Sequence, residues 1–298
     1  MEWRGIRGTI LKDVPMKRYT SMKVGGQAAY LVYPADETDL SAVLHLLKNK
    51  GIIYRFLGNG TNVIVTDKGL DAALIRITKM KYARYAKTTE GAVVDVSGGV
   101  SLRGFIKGLA ERGLSGLERL YWIPGTIGGA IRMNAGSFGQ TISDTLEEIS
   151  VIDGEGILSR IGKDQFRFGY RSSPVHETDC IVGARFALNN RNKKEIAKDM
   201  GYVYRERRKR HPMEYPSAGS VFKSVNDEPA WKFIEKAGLK GYTIGGAGVS
   251  EKHANFIVNL GWAKAQDIRD LIEKIKKEVY ERLGVVLAEE VELWGFNG

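Results

Sequence analysis

Two stretches decide how this chain is read. One is Gly58-Asn59-Gly60-Thr61-Asn62-Val63-Ile64-Val65. The other is Ile123-Pro124-Gly125-Thr126-Ile127-Gly128-Gly129-Ala130-Ile131-Arg132-Met133-Asn134-Ala135-Gly136-Ser137-Phe138-Gly139. Glycine lets the main chain approach a ligand closely, so glycine-rich loops commonly offer backbone N–H groups to phosphates. In the first stretch Thr61 and Asn62 add side-chain donors. It is not a Rossmann fingerprint, which wants GxGxxG leading into a helix; here Val63–Val65 reads as a strand. It is not a P-loop, since no Gly-Lys-Ser/Thr ending follows. By itself it also fits a hairpin loop. The second stretch carries five glycines among regularly placed apolar residues, too apolar for a flexible linker. A buried approach of backbone to ligand accounts for it better than a surface turn. Ser97-Gly98-Gly99 is a third piece for the same pocket.

Around these stretches, strand-like and helix-like segments alternate. Helices are expected at Asp39–Lys50, with Leu40, Val43, Leu44 and Leu47 on one face, and at Ser101–Arg112, between a Ser101 cap and a Gly113 stop. Strands are expected at Ile53–Leu57, Val63–Val65, Ala92–Val96 and Cys180–Leu188. Leu146–Ile152 and Ile157–Ile161 read as a hairpin about Asp153-Gly154-Glu155-Gly156. The polar run Asn189–Lys194 marks a boundary. Beyond it come a basic helix at Lys194–Lys209, a short helix at Pro229–Ala237, a strand at Phe256–Asn259, a long helix ending at Gly284 and a last strand at Val285–Trp294. The pattern is a mixed α/β chain.

The chain has 298 residues, of which 43% are apolar and 27% charged, an ordinary globular balance that argues against disorder. No apolar run approaches the ~18 residues needed to cross a bilayer, and the N-terminus has no secretory pattern. Cys180 is the single cysteine, so an internal disulfide and a Cys-rich zinc site are excluded, no metal is expected, and a reducing cytoplasm is favoured. The net charge is +10, which suits anionic partners. The densest cluster, Arg205 to His211, reads equally as a solvated helix end complementing the helix dipole or as a site for a phosphorylated ligand. Nucleic-acid binding would rest on charge alone, since no zinc finger, bZIP or RNP pattern is present. Neither a nucleic-acid nor a membrane partner is expected, and the chain is read as a monomer.

GNGTNVIV, IPGTIGGAIRMNAGSFG, FGYRSS, SAGSVFK and a terminal Glu-Val pair occur in this order. Together they resemble the UDP-N-acetylenolpyruvoylglucosamine reductase family over roughly Tyr19 to Trp294, in its shorter type. The resemblance implies an α+β fold. Residues 1–190 would be a two-subdomain FAD-binding domain of the vanillyl-alcohol oxidase (PCMH) type, divided near residue 80, and residues 191–298 a C-terminal α+β substrate domain. It implies FAD and NADPH, a UDP-sugar enolpyruvyl ether as substrate, and a place in cell-wall synthesis. The FAD contacts would come from Gly58, Asn59, Gly60, Thr61, Asn62, Ser97, Gly98, Pro124, Gly125, Thr126, Gly128, Gly129, Asn134, Ala135 and Gly136. Another FAD oxidase or dehydrogenase of the same fold would keep these glycine segments.

Reducing an enolpyruvyl ether places a hydride on one alkene carbon and a proton on the next. Charge then builds on the carboxylate side and needs a cation or acid beside it. By the resemblance, Arg171 of Phe168-Gly169-Tyr170-Arg171-Ser172-Ser173 is the catalytic arginine, able to grip a carboxylate bidentately. Ser220 is the proton donor and Glu290 the catalytic glutamate. Strand alternation over Val285–Trp294 would put Glu290 and Glu292 on one face, and burial there would raise the Glu290 pKa. Tyr170, Lys223, Asn255 and Arg208 would meet the substrate, and Tyr19, Thr20 and Ser21 would pack around the cofactor. His253 reads as structural. Three positions depart from the family pattern. Glu289 stands for a proline, Ser224-Val225-Asn226 for Asn-Pro, and His211 for a glutamine.

Overall fold

The computed structural model describes residues 2–296. The chain forms two compact units, each assembled from separate segments: Met1–Lys12, Tyr30–Asn59 and Ala72–Arg205 in one, Asp13–Ala29, Gly60–Asp71 and Glu206–Gly298 in the other.

The first unit is built on an antiparallel sheet whose long strand, Cys180–Asn190, lies between Leu146–Ile152 and Gly91–Ser97. Ala83–Lys87 and Leu158–Gly162 form the outer strands. The expected hairpin about Asp153–Gly156 is present, pairing Ile152 with Leu158. Opposite Ser150-Val151 the long strand carries one extra residue, Val182. Such a bulge shifts the side-chain parity by one. Cys180 and Val182 thus join the core under the helix Glu37–Asn49, whose Leu40, Val43, Leu44 and Leu47 are buried. Ile181, Ala184, Phe186 and Leu188 join the opposite core, against Phe105, Ile106 and Leu109 of the helix Leu102–Arg112. Ser101 caps that helix and Gly113, left-handed at φ 75°, ends it, as their residue types dictate.

Tyr54–Phe56 pairs in parallel with Leu70–Ile75, whereas Val63–Val65 pairs in parallel with Glu292–Trp294. The strands flanking the first glycine loop therefore lie in different sheets, which removes the hairpin reading.

In the second unit, Ser217–Ser220, Phe256–Asn259, Ala247–Val249 and Thr243–Ile244 form a sheet. The helices Ala230–Lys236 and Ala265–Leu283 share one core with it, and Ile268, Leu271, Ile272, Ile275 and Val279 are fully buried. The Asp67 carboxylate accepts from the Ala265 and Gln266 amides, at 3.0 Å each, and so caps the long helix. The strand expected over Val285–Trp294 is confined to Glu292–Trp294. Upstream of it, main-chain groups bond to an irregular segment instead: Lys223 N donates to the Ala288 carbonyl and Glu290 N to the Val221 carbonyl. Leu287 and Val291 are buried without strand pairing, so apolar spacing that resembles a strand here records burial alone.

Asp39 is buried, at 2% exposure, and accepts three main-chain bonds at 2.8–2.9 Å, from Arg7, Gly8 and Ala35. Asp36 caps the same helix through the Asp39 amide. Asp39→Ala leaves three donors without an acceptor and should cost about 3 kcal/mol or more, against about 1 kcal/mol for the cap variant Asp36→Ala. Urea unfolding of the two variants should show that order.

Candidate active site

In the first unit the glycine segments converge. Thr126 caps the short helix Ile127–Arg132, and its Oγ1 accepts from Gly129 N at 3.2 Å. A Cβ on Gly58 would stand 2.8 Å from that same Oγ1, so only glycine lets the first loop lie against Thr126. Gly128 N donates to the Gly98 carbonyl at 2.8 Å and Ile127 N to the Val100 carbonyl at 2.9 Å. A Cβ on Gly98 would overlap the Ile181 carbonyl oxygen. The amides of Ile127, Gly128 and Gly129 therefore join these pieces to one another. Ser97 is buried; its hydroxyl donates to the Met80 carbonyl and accepts from Gly99 N at 3.3 Å. Gly125 bends the chain at φ 141°, and its carbonyl accepts from Leu102 N. Ile123–Gly139 contains this helix, and Gly136-Ser137 pairs with Gln140-Thr141 in a small hairpin that runs past its end.

The same segment reaches Arg171. Gly169 and Ser172 exchange main-chain bonds of 3.2 and 3.3 Å, closing a tight turn with Arg171 left-handed at φ 54°. The Arg171 Nη1 lies 3.8 Å from where a Cβ on Gly136 would be. Its guanidinium carbon stands 5.1 Å from the centre of the Tyr170 ring, which is exposed. Asn134, buried at φ 39°, donates from Nδ2 to the Gly169 carbonyl at 3.1 Å. None of the cofactor residues expected in this unit carries a carboxylate. Main-chain groups, serine, threonine and asparagine remain, groups of the kind that suit a diphosphate.

The second unit gathers the other expected residues. Ser220 ends the strand Ser217–Ser220, opposite Phe256. The next residue, Val221, donates to the Asn255 carbonyl and accepts from Glu290 N at 2.7 Å. Asn255, at 6% exposure, grips Phe222 with both ends of its carboxamide, at 2.9 and 2.8 Å. Asn62 Nδ2 donates to the Glu290 carbonyl and Asn62 O accepts from Glu292 N. Lys223 is held through its amide to Ala288. Ser220, Lys223, Asn255, Glu290 and Asn62 thus share one small region. The neighbouring carboxylates are engaged elsewhere. Burial would raise the Glu289 pKa, but Lys276 at 2.8 Å, with a main-chain bond, holds it below the usual range. Glu292 accepts from Trp294 Nε1. Arg208 is exposed on the helix Lys193–Arg210.

Sequence reasoning missed two ties. Ser21 Oγ donates to the Ser217 carbonyl at 2.6 Å, so Ser21, expected beside the cofactor, anchors the strand that carries Ser220. Asn62 binds the Glu290 main chain. Both partners are about 200 residues away in the chain, beyond the reach of local spacing rules.

His211 packs on Phe256 and His253, at ring distances of 4.8 and 5.4 Å. Burial, then the charge of Arg207, pushes its pKa down to about 3. Burial also lowers His253.

Residues 28–162 match the family model described as FAD binding domain. Residues 211–294 match UDP-N-acetylenolpyruvoylglucosamine reductase, C-terminal domain. The chain is 42% identical to the UDP-N-acetylenolpyruvoylglucosamine reductase of Caldicellulosiruptor saccharolyticus, over 96% of this chain and 92% of that one. It is 40% identical to that of Carboxydothermus hydrogenoformans, over 97% and 95%. The crystal structure of UDP-N-acetylenolpyruvylglucosamine reductase from Thermus caldophilus superposes with a TM-score of 0.79 at 33% identity, covering 97% of this chain and 99% of that one. The expected α+β fold, an FAD-binding domain with a C-terminal domain behind it, is borne out. No helix among the described residues is long and apolar enough to cross a membrane.

A buried neutral histidine loses stability as its unfolded form takes up a proton. His211 should therefore cost nothing above its unfolded pKa of ~6.5, and progressively more as pH falls from there toward 3. The melting temperature should drop between pH 7.5 and 5. His211→Gln should flatten that drop; parallel curves for the two proteins would show that His211 is not its source.

Proposed function

Because the chain belongs to the UDP-N-acetylenolpyruvoylglucosamine reductase family, we propose that it reduces the enolpyruvyl ether of UDP-N-acetylglucosamine to UDP-N-acetylmuramate, a step of peptidoglycan synthesis. The reaction is placed in the cytoplasm, with NADPH as reductant and the protein as a monomer. Residues 1–190 serve the cofactor, apart from Tyr170 and Arg171, which with residues 191–298 serve the substrate. The Gly58–Asn62 loop, Gly98, Pro124–Thr126, Gly128, Gly129, Ala135 and Gly136 hold the FAD, through main-chain atoms and hydroxyls. Bound FAD supplies the hydride.

The observation that supports this reading is that the Glu290 amide bonds to the carbonyl of Val221, the residue after Ser220, so the two segments are tied main chain to main chain. The Ser220 hydroxyl gives the proton to the alkene carbon beside the one that takes the hydride. Arg171 holds the enolpyruvyl carboxylate as negative charge builds on it. Glu290 supports the charged intermediate from the Ser220 side. Glu289 takes no part, because Lys276 holds it ionised. Lys223 and Arg208 meet the substrate diphosphate, and Tyr170 lies along the substrate. Asn255 acts through the segment it grips, keeping Ser220 and Lys223 in register.

The purified protein should be yellow, and should oxidise NADPH only when the enolpyruvyl ether is present. Ser220→Ala should still let NADPH reduce the flavin, yet form product at least ~10²-fold more slowly, the scale of a lost proton donor. A colourless protein that takes up no FAD, or full turnover in the variant, would overturn the assignment. Unchanged turnover would favour a different flavin oxidation on the same fold.

A further inference from the structure

Asn134 lies in the glycine-rich stretch that the sequence groups with the cofactor, yet both ends of its carboxamide are engaged by protein. Nδ2 donates to the Gly169 carbonyl at 3.1 Å, and Oδ1 accepts from Ser143 Oγ at 2.9 Å. A carbonyl only accepts, which fixes the amide's orientation. Ser143 is itself set by Thr141 Oγ1 at 3.0 Å, and Thr141 N bonds to Asp144 at 2.8 Å. The Gly169 carbonyl accepts from Ser172 N as well. It therefore carries both the bond that closes the Arg171 turn and the bond that fastens this turn to residue 134. Arg171 sits in that turn with left-handed backbone, at φ 54°.

The backbone at residue 134, φ 39°, is open to glycine, asparagine and aspartate. Glycine would satisfy the conformation and lose both bonds. Aspartate would keep the acceptor for Ser143 and lose the donor to Gly169. Asparagine meets all three demands. We infer that Asn134 is a positioning residue for Arg171: it locks the turn bearing the guanidinium to the segment that contains Gly136, so that Arg171 is aimed before substrate arrives. The inference rests on the role given to Arg171 above. It moves Asn134 from the cofactor contacts to the reaction's geometry.

The test uses the FAD-loaded enzyme and its Asn134→Asp and Asn134→Gly variants, with Ser143→Ala as a milder change that frees the amide. Amide hydrogen exchange over residues 169–172 should quicken in all three, whatever the substrate. Flavin content and the rate of flavin reduction by NADPH should stay within about twofold of the parent. Transfer to the enolpyruvyl ether should slow about 10- to 100-fold in Asn134→Asp, the scale of a misplaced reacting group. In an Arg171→Ala background the same change should add almost nothing, since coupled residues do not act additively. Loss of FAD, unchanged exchange at residues 169–172, or a full additional slowing in the Arg171→Ala background would each overturn the inference. A parent enzyme that transfers nothing to the enolpyruvyl ether would instead fault the assigned function, and the exchange measurement would still judge the tie between Asn134 and the turn.

Discussion

At Gly98 the main chain passes so close to the Ile181 carbonyl that no side chain fits between them. That approach sets the first unit. It seats the Ser97–Gly99 bend on the long strand Cys180–Asn190 and leaves the Gly98 carbonyl to receive the Gly128 amide. The helix Ile127–Arg132 is thereby placed, and its Thr126 cap in turn admits the first loop only because residue 58 is glycine. A helix so short has little stability of its own; its position comes from these tertiary bonds. Past its end, Asn134 and Gly136 meet the turn that carries Arg171. The glycines first serve the protein's own close packing.

In the second unit the same logic uses polar side chains. Asn255 clamps Phe222, Ser21 holds Ser217 and Asn62 holds the main chain of Glu290. Each bond is directed at backbone, so the segments that carry Ser220 and Glu290 are fixed through their main chain. Buried, satisfied polar networks of this kind rigidify the groups around them. In the acidic cluster, Glu289 is held in an ion pair by Lys276 and Glu292 accepts from the Trp294 indole.

Much of the fold was legible because local signals agreed with tertiary demands. Ser101, the apolar positions of the helix and Gly113 each pointed to the same element. Glycine-rich Ile123–Gly139 hid its helix, since glycine lowers helix propensity and the compensating bonds to Gly98 and Val100 come from elsewhere in the chain. Val285–Trp294 misled in the other direction, because buried apolar residues in irregular backbone imitate a strand. Of the candidate site, the ordered motifs singled out Arg171, Ser220 and Glu290 as the residues proposed to carry the chemistry. They did not reveal the left-handed backbone of Arg171, nor that Asn134 and Asn255 grip main chain. Those partners lie 35 and 33 residues away, and nothing in the local spacing marks them.

The central claim is that this chain moves a hydride from bound flavin to an enolpyruvyl ether. It is tested most directly by reducing the FAD-loaded protein with NADPH under anaerobic conditions, removing excess NADPH, and mixing it with the UDP-sugar enolpyruvyl ether in a stopped-flow spectrometer. Rapid return of the oxidised flavin absorbance, with one saturated ether formed per flavin, is the expected result. A flavin that stays reduced until oxygen is admitted would contradict the account.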